Sequence, residues 1–224
     1  MLFQENKYDQ HTFSDQIRLV DHFFCSSGKK QIYVQGNSKF SYLAVLGPWT
    51  NVEIDIQTAG ENIQLFLSVI VIPDRFQPTK LHLQSNLLHS HTETNVHIIS
   101  FLTDTTQAQI DGKVMVAPGI IKASGHLLEE NIILGGKVKI QTLPMLDVRS
   151  NDVQASHGAR IEKLDKKKLF YLQSRGLSDR AAKQLLISGY FETIFWPFIH
   201  QAVHDHIHPQ LLRLQEQYMD MVIL

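Results

Sequence analysis

The sequence is poor in cysteine: Cys25 is the only one in 224 residues. A single thiol excludes an intramolecular disulfide framework and any all-thiolate metal site built by one chain, and it fits a reducing compartment. An excess of one charge is missing too. Lysine and arginine number 21 against 22 aspartates and glutamates. The net charge of -1 gives no field that would gather a phosphate backbone or an anionic membrane, so neither nucleic acid nor membrane is an expected partner. Long hydrophobic runs are absent as well. Leu65 to Ile72 contains a serine and stops at Pro73, well short of the roughly 20 apolar residues a membrane helix needs. Met1 to Asn6 shows no basic stretch followed by an apolar core. No signal peptide is therefore expected, and a cytoplasmic location is.

Several catalytic signatures are also lacking. Gly135-Gly136-Lys137 has neither the preceding glycine spacing nor the Ser or Thr of a phosphate-binding loop, so ATP hydrolysis by this chain is not expected. There is no GxSxG elbow, no redox CxxC and no HExxH. The β-rich region offers few clustered carboxylates, Asp104, Asp111 and the Glu129-Glu130 pair being the main ones. That is a thin basis for a β-helix enzyme using paired acids.

What is present is a two-part pattern. From Gln31 to about Ile161 short runs rich in Val and Ile follow one another: Ile32–Val34, Tyr42–Leu46, Val52–Ile56, Ile63–Ile72, Val96–Leu102, Val114–Val116 and Val138–Ile140. Their length and their spacing of about 8–12 residues predict an all-β sandwich, barrel or solenoid. Val52-Glu53-Ile54-Asp55-Ile56 alternates apolar and charged, so one face of that strand is packed and one is wet. Glycines 47, 60, 112, 119, 125, 135 and 136 are read as corners between runs. No strict repeat unit announces a solenoid, and periodicity alone leaves sandwich and β-helix open.

After Lys163 the period becomes helical. Asp165 can cap a helix over residues 166–175, with Leu169 and Leu172 on one face and Gly176 as a left-handed stop. Ser178 can cap a second helix whose stripe is Ala181, Ala182, Leu185 and Leu186, ending before Gly189. Residues 197–224 continue as helix with a break at Pro209, and Leu211, Leu214, Tyr218 and Val222 recur at helical spacing. Residues 1–30 read as an amphipathic lead-in, with Phe13, Ile17, Val20 and Phe24 available to pack on the body. The expected organisation is thus a lead-in over 1–30, a β core over 31–163 and a helical domain over 164–224.

One stretch is more specific than these patterns. The chain runs Gln141-Thr142-Leu143-Pro144-Met145-Leu146-Asp147-Val148, then Asp152-Val153-Gln154-Ala155-Ser156-His157-Gly158-Ala159. It continues with Leu164-Asp165, Leu169-Phe170-Tyr171-Leu172-Gln173-Ser174-Arg175-Gly176-Leu177, and Ala182 with Leu185-Leu186. This order resembles the C-terminal part of SufB/SufD proteins of the SUF iron–sulfur cluster assembly system, where "PxLxI", "DDVxCSHGA", "LD", "LFYLxSRGI" and "AxxLL" follow in turn. A weaker match reaches upstream to Gly112–Val116 and to His89 and His91.

The resemblance implies a right-handed parallel β-helix followed by a small C-terminal helical domain. It implies a non-catalytic scaffold that pairs through its β-helix with a SufB-like or identical chain and docks a SufC-like ABC ATPase through its helical end. Two departures stand out. Much of the N-terminal region of typical members has no counterpart, and Ala155 and Asn151 replace the pattern's cysteine and first aspartate. With that thiol gone, no iron–sulfur cluster is expected to stay on the isolated chain; one would be held only transiently in the complex.

His157, between Ser156 and Gly158, is the first candidate for the cluster-assembly interface. Neutral imidazole can ligate iron or take a proton near neutral pH, and Gly158 would let another backbone come close. A hydrogen-bonded structural histidine is the competing reading. His200 and His204 would share a helix face, with His206 and His208 close behind, and His89 and His91 would share one side of a strand. Spacing there permits a His-rich metal-binding module, but neither group has an accompanying cysteine or an HExxH arrangement, and a polar surface is the favoured reading. Leu169, Phe170, Tyr171, Ser174, Arg175, Leu185 and Leu186 are the ATPase-docking candidates. Arg175 could meet a partner carboxylate or simply favour the helix dipole. Tyr190, Phe191, Phe195 and Trp196 could be core or interface anchors.

Overall fold

The computed structural model describes residues 10–13, 16–199 and, near the C-terminus, Glu216, Met219 and Val222. The β-rich part is a parallel solenoid in which the chain passes from one sheet to the other and back. The first sheet holds β1 (Gln10–Phe13), β3 (Ser27–Gln35), β5 (Asn51–Ala59), β7 (Thr79–Leu87), β9 (Gln107–Val116), β11 (Lys139–Thr142) and β12 (Met145–Val148). The second holds β2 (Gln16–Phe23), β4 (Lys39–Leu46), β6 (Ile63–Val71), β8 (Thr92–Leu102), β10 (Ala123–Ile133) and β13 (Val153–Lys163). Each strand pairs in parallel with the strand one rung away; β11 and β12 share β9 as partner. Sandwich and barrel are thereby excluded.

Alternation decides which side chains fill the lumen. Along β5 every second residue is buried. Ile54, Ile56, Leu65, Leu81, Leu83 and Ile98 meet between the sheets with at most 1% of their surface exposed. Burying one such side chain is worth about 1.5–3 kcal/mol. The repeat missing from the amino-acid pattern exists in the backbone. Asn37, Asn62, His91 and Lys122 occupy the same corner of successive rungs, each in the left-handed region. The Asn62 amide donates to Asn37 Oδ1 at 3.1 Å.

Several expectations need correction. β1, β2 and the start of β3 lie within residues 10–30, so the stretch expected as a lead-in is already solenoid where it is described. Phe24 is half exposed, and the side chains of Phe13, Ile17 and Val20 lie outside the described residues. His89 and His91 sit in the turn between β7 and β8, not on a strand. Gly112 and Gly125 are not corners. They lie inside β9 and β10 facing the lumen, where a methyl group would come within 2.4 Å of the Glu129 carboxylate and 2.7 Å of Val114 respectively.

Two helices follow. α1 (Lys166–Ser174) starts where Asp165 accepts from the Lys167 and Lys168 amides, and Gly176 at φ +93° ends the turn. α2 (Asp179–Ile199) starts where the Ser178 hydroxyl accepts from the Ala181 amide. α2 runs through Gly189 rather than stopping there, because Phe191, Ile194 and Phe195 continue its buried stripe. They pack on the outer face of the second sheet against Leu43, Ile70, Ile99, Phe101 and Ile132. Phe101 and Phe191 stack with ring centroids 5.2 Å apart. Leu185, expected in that stripe, points outward. No helix among the described residues is long and apolar enough to cross a membrane.

Candidate functional site on the last rungs

The outer face of the second sheet changes character along its strands. The C-terminal halves of β4, β6, β8 and β10 carry the apolar residues that α2 covers. The N-terminal halves are left open, and there a groove of about 450 Å³ crosses β6, β8, β10 and β13, with Thr193 of α2 at its side. Its floor includes Asn95, His97, His126, Leu128, Ser156 and Gly158. The register explains the gathering: Asn95, His126 and Ser156 occupy one row across the strands, and His97, Leu128 and Gly158 the next row on the same face. Residues far apart in sequence are thus set side by side.

The polar side chains of this face are hydrogen-bonded across strands. His97 Nε2 lies 2.6 Å from Glu130 Oε2, and Arg160 on β13 makes an ion pair with the same carboxylate. Burial, reinforced by the nearby Arg160 cation, lowers the His97 pKa to about 4. His97 is therefore neutral at pH 7 and donates Nε2–H to Glu130. Arg160 also approaches Glu162 at 3.7 Å, and the Tyr190 hydroxyl of α2 donates to Glu162 at 3.1 Å. The next imidazole along, His126, has Nδ1 2.7 Å from the Ser156 hydroxyl.

The lumen side of the same strands is also polar at this end. Glu129 is fully buried; its Oε1 accepts the Gly112 amide at 2.9 Å and its Oε2 accepts the Thr142 hydroxyl. Burial raises its pKa to about 7, with the Asp111 charge adding a little and the two hydrogen bonds opposing. Gly112 lies opposite the gap between β11 and β12, where Pro144 has no N–H to give to a ladder. The carboxylate thus takes up a backbone donor at a break in the sheet.

The predicted residues separate on inspection. Ser156, His157 and Gly158 come together on β13, which ends its sheet. His157 pairs with Leu127, whose side chain is in the lumen. By alternation the imidazole lies on that face, while Ser156 and Gly158 lie on the groove face. His157 is exposed because no further strand follows β13 in the sheet among the described residues. On the helices Phe170, Tyr171 and Leu185 are 72%, 55% and 53% exposed. Leu169 and Leu186 instead face the core. Ser174 donates to the Tyr171 carbonyl, and the Arg175 guanidinium sits 5.3 Å over the Tyr171 ring. Phe191 and Phe195 are core. His200, His204, His206 and His208 lie outside the described residues. Among those described, no three His, Cys, Asp or Glu side chains are placed to grip a metal ion. His97, His126 and Arg160 were not singled out from the sequence. Their signal was a polar residue recurring once per rung, invisible until the rungs are aligned.

Comparison with known proteins agrees with this architecture. Residues 18–190 match the family described as SUF system FeS cluster assembly, SufBD core domain. The chain belongs to the SufBD family. A SufBD-family iron–sulfur cluster assembly protein of Synechocystis is 34% identical over 125 residues, which is 56% of this chain and 27% of the relative. SufD of Escherichia coli is 29% identical over 136 residues, 60% of this chain and 32% of the relative. SufD of Plasmodium falciparum is 23% identical over 219 residues, 96% and 15% respectively. The SufBD chain described here thus spans about a third or less of these relatives, and it is SufD-like. In this SufBD core Ala155 faces the lumen opposite Gly125, so the position that carries a thiol in the resembling pattern offers no ligand.

Proposed function

We propose that this chain is a scaffold subunit for iron–sulfur cluster assembly, without catalysis of its own. It pairs along β13 with a second SufB/SufD-type solenoid and docks a SufC-type ATPase on α1 and α2. The observation that carries this reading is β13 itself: 11 residues long, at the end of its sheet, bearing Ser156, His157 and Gly158. Such an edge offers a row of main-chain donors and acceptors that a second strand can complete. Ile161 on the lumen face of β13, 50% exposed, and Leu128 on the groove face of β10 opposite Gly158, 41% exposed, leave apolar surface on both sides of the edge for the same contact. For the ATPase, Phe170, Tyr171 and Leu185 are, among the described residues, the exposed large apolar side chains of the two helices. Aromatic anchors of this kind dominate interface energies.

The test uses co-expression with a SufB-type chain and a SufC-type ATPase. Ile161→Lys places a charge on the edge strand and should abolish co-purification of the second solenoid while leaving the unfolding midpoint unchanged. The combined Phe170→Ala, Tyr171→Ala and Leu185→Ala variant should lose the ATPase and keep the solenoid partner. Deleting the helices is not a usable test, because α2 covers the apolar face of the second sheet. Full retention of both partners in these variants overturns the assignment of the two surfaces. Anaerobic reconstitution of the isolated chain should yield no stable cluster; a stoichiometric one that persists in Cys25→Ala overturns the scaffold-only role.

A further inference from the structure

Two imidazoles in the groove share one arrangement. Asn95 of β8 stands opposite His126 of β10, and His97 stands opposite Leu128. His97 and His126 therefore rise from the same sheet face, one strand and two residues apart. Such diagonal neighbours are about 7–8 Å apart at the backbone, a span across which two imidazoles can close on one ion. Each ring has one nitrogen committed to an oxygen, His97 Nε2 to Glu130 at 2.6 Å and His126 Nδ1 to Ser156 at 2.7 Å. The second nitrogen of each, Nδ1 of His97 and Nε2 of His126, has no hydrogen-bond partner among the described residues. Both residues line the groove. A histidine that ligates a metal almost always gives its other N–H to a carboxylate, carbonyl or similar oxygen, which fixes tautomer and ring orientation.

We propose that His97 and His126 form a capture site for a hydrated first-row divalent metal ion, held by His97 Nδ1 and His126 Nε2, with water filling the remaining positions. Imidazole nitrogen suits iron, cobalt, nickel and zinc, whereas magnesium and calcium demand oxygen ligands. Two protein ligands are too few for a resident structural ion. They fit an ion that must leave again, which is what a cargo metal does. Glu130 and Ser156 are positioning residues, and Arg160 holds Glu130 in place. The choice of ferrous iron as the cargo rests on the iron–sulfur scaffold reading; the site itself does not. It is also separate from His157, whose side chain lies on the opposite face of the sheet.

The experiment titrates Co²⁺, whose visible absorption reports imidazole coordination, into the untagged full chain. His200, His204, His206 and His208 are changed to glutamine throughout, so that these four imidazoles do not compete. One ion per chain is expected. His97→Gln and His126→Gln should each raise the dissociation constant at least tenfold, and Glu130→Gln about tenfold, the low end of outer-shell effects. His157→Ala should leave it unchanged. Far-UV circular dichroism checks the fold, and His126→Gln, the more open position, carries the test if His97→Gln destabilises the chain. Absence of saturable binding, binding that survives both glutamine substitutions, or binding lost in His157→Ala overturns the proposal. Co-purification of partners is read separately: its failure with cobalt binding intact sinks the scaffold reading and leaves the metal site standing.

Discussion

Between β4 and β8 the lumen of the solenoid holds Phe40, Leu65, Leu67, Val69 and Ile98, all buried. At the corresponding face of β10 it holds Gly125, Leu127, Glu129 and Asn131, and on β13 Ala155, His157 and Ala159. The strand pairing is the same in both regions; the filling is not. Early rungs are held by removal of apolar surface from water, a force that asks nothing of orientation. Late rungs must satisfy each polar group individually. Glu129 takes the Gly112 amide and the Thr142 hydroxyl. Asn131 accepts from the Ser100 hydroxyl at 2.7 Å and donates to the Arg160 carbonyl at 3.4 Å. One end of the solenoid thus supplies stability, while the other spends packing on groups that can respond to protons, ions and a facing strand.

The contrast can be broken at either end. Leu65→Ala in the dry region should cost about 2–5 kcal/mol, as expected for a buried leucine whose cavity cannot collapse, read from the urea midpoint. Glu129→Gln should act in the opposite direction, with a gain that grows as pH rises from 4.5 and is complete above 7. Its folded pKa of about 7 stands above the ordinary 4.5, so the stability of the neutral form is fully present below 4.5 and is lost as pH rises through 7. A gap of that size corresponds to about 3 kcal/mol. The variant should therefore be more stable than wild type at pH 8.5 and close to it at pH 4.5. His97 has the reverse sign. Its lowered pKa means that stability falls as pH drops below 6.5 toward 4, so Glu129→Gln should leave the acid limb untouched. Gly112→Ala should cost about 1–3 kcal/mol by overpacking, since its methyl group would meet the Glu129 carboxylate. Adding Glu129→Ala should recover part of that loss in a double-mutant cycle.

The same contrast explains what the amino-acid pattern disclosed. Dry rungs alternate cleanly, so Val52–Ile56 and Ile63–Ile72 read as strands and are strands. β10 escaped notice because Gly125, His126, Glu129, Glu130 and Asn131 break the alternation. Each is accommodated by a residue on another strand: Val114, Ser156, Gly112, His97 and Ser100 respectively. Nothing within β10 reveals those partners. The helix caps Asp165 and Ser178 were legible because a cap is a local device, read within three residues. That α2 continues past Gly189 and which side of Leu185 is wet depend on the sheet beneath and were not. The segment around His157 was found through its resemblance to a family. That route located the strand and could not tell which of its faces carries the imidazole.

His157 gives the smallest expected stability effect and the sharpest division between the two regions. Its side chain is on the lumen face but at the uncovered edge, exposed, with no hydrogen bond among the described residues. Removing it opens no enclosed cavity and orphans no buried donor, the two routes by which a core substitution becomes costly. The neighbours that could close over it, Ala155 and Ala159, are small. Pairing along β13 would rest on main-chain groups, which the substitution leaves in place. His157→Ala should therefore shift stability by less than about 1 kcal/mol, measured as the urea midpoint of the isolated chain. Iron bound per complex after co-expression with its partners should fall, because the imidazole is then missing from the face that a second strand would cover. A loss of several kcal/mol would place His157 with the packed rungs. Unchanged iron content would remove it from the assembly site and leave the groove on the other face as the chemically equipped side of the strand.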